Sequence, residues 1–190
     1  MGAFLERKRK LGVSPPDATE ALVFRLHNAF SAYSAAKNEV FVPLGVGTKK
    51  GTEGNHHRWL RALLYVAARD LGFTEPFRFR GCSPDVLCLH KEARCLLVGD
   101  AKNARHQRAV DSEGPIGRYF DRTRAALRDG HAATAIAAIV TDDIKASVEW
   151  MGLSRLASTR GLDVIPRTTM AMVAGDAVTW VITTAVRLPK

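Results

Sequence analysis

The chain has 190 residues, enough for one domain that buries roughly 70% of its unfolded surface without disulfides or structural metals. Lys and Arg outnumber Asp and Glu 28 to 19, and the resulting +9 favours an anionic partner, most economically nucleic acid. No apolar run approaches the ~18 residues of a membrane span, no apolar segment follows the charged N-terminus, and Cys82, Cys88 and Cys95 form no Cys-x-x-Cys pair. A membrane partner, a signal peptide and a zinc site are therefore not expected, whereas a reducing, cytoplasmic setting is.

Residues 1–16 read as a basic arm, with Arg7, Lys8, Arg9 and Lys10 ahead of Pro15-Pro16. Asp17 is placed to cap a helix over Ala18–Asn38, in which Leu22, Leu26, Ala29, Phe30 and Tyr33 recur at helical spacing. With the β-like stretch Val40–Val46, this helix forms an N-terminal helical extension over 17–46. The loop from Gly45 to Thr52 has glycines and lysines but fits neither a Walker A loop nor a dinucleotide fingerprint. Its Lys49 and Lys50 are either phosphate contacts or solvated charges. A helix from Glu53 or Asn55 to Leu71 follows, with Leu60, Leu63, Leu64, Ala67 and Leu71 as its buried stripe and Gly72 as its stop. Phe77 and Phe79 alternate with arginines, so a strand is expected over Pro76–Arg80.

The stretch Ser83–Asn103 is the most informative. Val86–Leu89 and Cys95–Val98 are apolar runs of strand length around the polar break Lys91–Arg94, the pattern of a β-hairpin. With His90 opposite Cys95, Asp85 falls opposite Asp100, and a period of two puts Asp100 and Lys102 on one face. Two carboxylates about 5 Å apart repel by roughly 3 kcal/mol at an effective dielectric near 20. A proton, or a hard divalent cation held by oxygen ligands, relieves that repulsion. Mg²⁺ suits the pair best, with Mn²⁺ next. The alternative is a strand start after a Ser-Pro turn, with Asp100 and Lys102 solvated.

Ala104–Gly114 is polar and aperiodic, a substrate-side loop carrying Arg105 and Gln107. Ile116–Leu127 reads as a helix, with Ile116, Phe120, Thr123 and Leu127 inward. Arg118 and Arg122 form one basic row on it and Arg124 and Arg128 another, suited to a polyanion or simply solvated. Ala135–Val140 is a buried-type strand. A helix from Asp142 or Asp143 to Arg160 and strands at Leu162–Ile165 and Ala177–Thr183 close the chain.

The pieces Pro84-Asp85 and Asp100-Ala101-Lys102, with Glu53 opening the preceding helix, resemble the PD-(D/E)xK nucleases of restriction-endonuclease-like fold. The element order helix, three strands, helix, strand, helix, strand resembles that fold as well. The resemblance implies an α/β fold: a mixed, mainly four-stranded sheet flanked by helices, within one domain whose catalytic core is 52–166 and whose 167–190 form a C-terminal strand region. It implies a metal-dependent endonuclease with Asp85, Asp100 and Glu53 as Mg²⁺ ligands and Lys102 acting on the attacking water. Lys49, Lys50, Arg105, Gln107, Arg118 and Arg122 would bind nucleic acid. Duplex DNA is the expected substrate, since no cluster of aromatics offers a stacking platform for single strands. Cutting both strands commonly takes two active sites, which points to a homodimer. A non-catalytic nucleic-acid-binding module and a nuclease acting on RNA are the alternatives.

Overall fold

The computed structural model describes residues 18–35, 53–102, 114–141, 149–173 and 179–190. In chain order these form α1 (Ala18–Ala35), α2 (Glu53–Asp70), β1 (Glu75–Pro76), β2 (Val86–His90), β3 (Cys95–Lys102) and α3 (Pro115–Arg128). Then come β4 (Thr134–Thr141), α4 (Glu149–Thr159), β5 (Asp163–Val164), β6 (Met170–Val173) and β7 (Trp180–Arg187). The fold is α/β, one mixed sheet between two helical layers.

The sheet has seven strands rather than the four expected. Its order is β1-β2-β3-β4-β7-β5, and β6 also pairs with β7. β3 and β4 run parallel, joined through α3, and every other pairing is antiparallel. β5 and β6 share the outer edge of β7. Between them Thr168 Oγ1 accepts the Ala185 N–H at 2.9 Å and donates to the Ile165 carbonyl at 2.6 Å, so a side chain bridges the gap in the ladder.

Alternation along the strands divides the core in two. Val86, Cys88, Cys95, Leu97 and Ala101 face α1 and α2, where they meet Leu26, Phe30, Leu60, Leu63, Leu64 and Ala67. Leu96, Val98, Ala135, Ile139 and Ile182 face α3 and α4, against Ile116, Phe120, Leu127 and Leu153. Gly72 ends α2 with φ +92, and a Cβ there would sit 2.9 Å from His90 Nε2.

Several boundaries depart from the sequence reading. The strand expected over Pro76–Arg80 pairs only at Glu75–Pro76. Phe77 still donates its N–H to the Leu87 carbonyl at 3.3 Å, but the chain then turns away through Gly81 toward Pro84. The expected strand at Leu162–Ile165 shrinks to Asp163–Val164, and the last strand runs on to Arg187. β6 was not expected at all. The expected strand Val40–Val46 and the start of the 142–160 helix lie outside the described residues. No helix among the described residues is long and apolar enough to cross a membrane.

Candidate active site

β2 and β3 pair with His90 opposite Cys95 and Val86 opposite Gly99, the register expected from the sequence. One step further, Asp85 comes level with Asp100 at the hairpin's open end. Asp85 precedes β2, and its carboxylate turns to the backbone of β3: the Ala101 N–H donates to Asp85 Oδ2 at 2.9 Å. The side chain thus replaces the strand carbonyl that would otherwise continue the ladder.

Asp100 sits beside Ile139 of β4 and is only 4% exposed. It faces the α3 layer, lining a small cavity with Val98, Ile116, Tyr119 and Phe120. A carboxylate so buried needs hydrogen-bond partners. The Tyr119 hydroxyl supplies one. Burial raises the pKa of Tyr119 most, followed by the Asp100 charge, the hydrogen bond to Asp100 and the Asp85 charge. A phenol held protonated in this way can only donate to Asp100. Both carboxylates act on one hydroxyl, which brings Asp85, Asp100 and Tyr119 into one cluster. Tyr119 was missed in the sequence, although it lies three residues after Ile116 on the same inward stripe of α3.

Gly99 sets how closely α2 approaches this hairpin. A Cβ there would lie 2.5 Å from Leu64 Cδ2 and 3.2 Å from Val86 Cβ. The helix C-terminus lies at His90 and Leu64 over Gly99, so α2 points its N-terminus toward the open end. Glu53, its first residue, precedes Leu64 by eleven residues. That is about 16 Å of helix, whereas Asp100 is about 3.3 Å along the strand from Gly99. The backbone of Glu53 therefore starts beyond the hairpin's end, on the layer opposite Asp100. β3 carries Lys102 two residues past Asp100, paired with Thr141. The side chains of Glu53 and Lys102 lie outside what the structure describes.

Arg118 and Arg122 project from α3 into solvent. Both pull down the pKa of the half-buried Cys82 thiol, against a larger upward push from burial, and Arg122 also hydrogen-bonds it. In the second basic row Arg128 is exposed, but Arg124 is not a free surface charge. Arg124 Nη1 donates to the Arg160 carbonyl at 2.9 Å, closing the end of α4, and Arg160 pairs with Asp121 at 2.8 Å. This correction follows from helix–helix packing, which a helical wheel does not contain. Lys49, Lys50, Arg105 and Gln107 lie outside the described residues.

Among the described residues no three His, Cys, Asp or Glu side chains converge on one point. Asp85 and Asp100 supply carboxylate oxygens and Tyr119 a hydroxyl beside them, a donor set that fits a hard cation and not a soft one. No family model, no curated protein and no solved structure matches the chain.

Proposed function

We propose that this chain is a metal-dependent endonuclease that hydrolyses phosphodiester bonds, with duplex DNA as substrate, on a restriction-endonuclease-like core formed by α2, β1–β3, α3 and β4. The observation that carries this reading is the meeting of Asp85 and Asp100 at the open end of the β2–β3 hairpin, with the Ala101 N–H on Asp85. The parallel β3–α3–β4 crossover supports the core assignment. Asp85 and Asp100 would hold Mg²⁺ or Mn²⁺, with Glu53 as a further ligand. When bound, the cation supplies Lewis-acid stabilisation of charge building on the phosphoryl oxygens.

The chain's own groups do the rest. Lys102, two residues beyond Asp100, orients the attacking water and neutralises charge as it develops in the transition state. Tyr119 holds the Asp100 carboxylate in one orientation. Arg118 and Arg122 carry the charge that attracts a polyanion. The test is to incubate the purified protein with plasmid, linear and single-stranded DNA and with RNA, in Mg²⁺ or in EDTA. Cleavage of duplex DNA that requires Mg²⁺ is the expected result.

One observation favours a second reading. Asp100 is buried beneath α3 and engaged by Tyr119, an arrangement equally suited to a non-catalytic module that binds nucleic acid and never cuts it. Binding without cleavage in Mg²⁺ or Mn²⁺ would select that reading.

A further inference from the structure

The strap leading from β1 to Pro84 alternates between two environments. Phe77 and Phe79 pack edge to face, centroids 6.0 Å apart, and Phe77 also meets the His131 ring at 5.5 Å. Both pack against the α3–α4 core. With the phenylalanines turned inward, Arg78 and Arg80 are left exposed.

At its end the strap meets α3. Arg122 Nη2 lies 3.4 Å from the position a Cβ on Gly81 would take, and the same side chain hydrogen-bonds Cys82. Arg118 is one turn away, about 6 Å along the helix. Arg78 and Arg80 are spaced by roughly the same distance at strand rise. Two pairs of arginines, one on the strap and one on α3, therefore form one exposed surface. It borders the carboxylate cluster, because Cys82 lies close enough to Tyr119 to act on its hydroxyl. The ion pairs among the described residues use other cations: Lys91 with Glu75, Arg160 with Asp121 and Arg167 with Glu20. Four like charges that take part in none of these ion pairs suit a ligand that brings its own row of negative charges.

We propose that Arg78 and Arg80, together with Arg118 and Arg122, form a cradle for the phosphodiester backbone of the nucleic acid and lead it to Asp85 and Asp100. This rests on the nuclease reading above and extends it from Arg118 and Arg122 to Arg78 and Arg80, which the sequence did not single out. The strap is then a binding element rather than a frayed edge strand. Its two phenylalanines anchor it, and its two arginines engage neighbouring phosphates.

The test is equilibrium binding of a labelled DNA duplex in EDTA, across a series of salt concentrations. It compares wild type, Arg78→Ala/Arg80→Ala, Arg78→Lys/Arg80→Lys and a control, Arg25→Ala/Arg61→Ala, which removes the same charge from exposed positions on α1 and α2. Each phosphate contact contributes about 0.9 to the slope of log affinity against log salt, so losing two should flatten it by about 1.8. The lysine variant should keep the wild-type slope, and so should the control. A wild-type slope in Arg78→Ala/Arg80→Ala, or an equal loss in the control, would overturn the cradle while leaving the nuclease reading intact. A wild type that binds neither DNA nor RNA would overturn both.

Discussion

Lowering the pH should unseat α1 from the sheet through a single side chain, His27. This residue is 1% exposed, and its Nε2 lies 2.9 Å from Thr183 Oγ1 on β7. Thr183 spends its one hydroxyl proton on the Thr168 carbonyl at 3.1 Å. His27 Nε2 must therefore be the protonated nitrogen, donating to Thr183, while Nδ1 keeps a lone pair with no partner among the described residues. Adding a proton at Nδ1 would bury both a charge and an unsatisfied donor. Burial accordingly lowers the pKa of His27 from 6.5 to about 4.

Between pH 4 and 6.5 the unfolded chain binds this proton and the folded chain does not, so stability falls as the solution is acidified. At 1.36 kcal/mol per pKa unit, the contribution is intact above about pH 7. It is reduced by about 2 kcal/mol at pH 5 and by about 3 kcal/mol well below pH 4. The assay is urea unfolding of wild type and His27→Leu from pH 8 to pH 4, taking the difference between the two so that other titrating groups cancel. The wild type should lose about 2 kcal/mol more than the variant between pH 7 and pH 5. Parallel curves would refute the buried neutral imidazole.

Two further outcomes follow from the hairpin. Gly99→Ala must displace Leu64 or Val86, so it should lower stability by about 1–3 kcal/mol in denaturant unfolding; an unchanged midpoint would show that α2 does not press on β3. Tyr119→Phe removes a donor from the buried Asp100 carboxylate, which should cost about 1.5–3 kcal/mol in metal-free buffer at pH 8, and wild-type stability would show that the hydroxyl does not support the carboxylate.

The register of the β2–β3 hairpin was legible because two apolar runs flank one polar break, leaving a single alignment that keeps each strand's buried face together. α2 and α3 were legible from their apolar stripes for the same reason. The strap was not: Phe77 and Phe79 alternate as a strand does, but alternation records which side chains are buried and not whether the backbone is paired. β6 escaped because Met170–Val173 is short and only half-buried, although the Gly175-Asp176 pair that follows it is a turn signal. Arg124 looked like a surface charge because its partner, the Arg160 carbonyl, is 36 residues away in sequence. Tyr119 belongs to the same class. Its position on α3 was readable, but its contact with Asp100 depends on how α3 crosses the sheet.

The most direct test compares Mg²⁺-dependent cleavage of duplex DNA by wild type, Asp100→Ala and Lys102→Ala at equal concentration, each confirmed folded by its thermal melt. Wild type should cleave, Asp100→Ala should show no cleavage, and Lys102→Ala should be slower by about 10²–10³. A wild type that cleaves only as fast as Asp100→Ala would contradict the assignment of the carboxylate pair as the reaction centre.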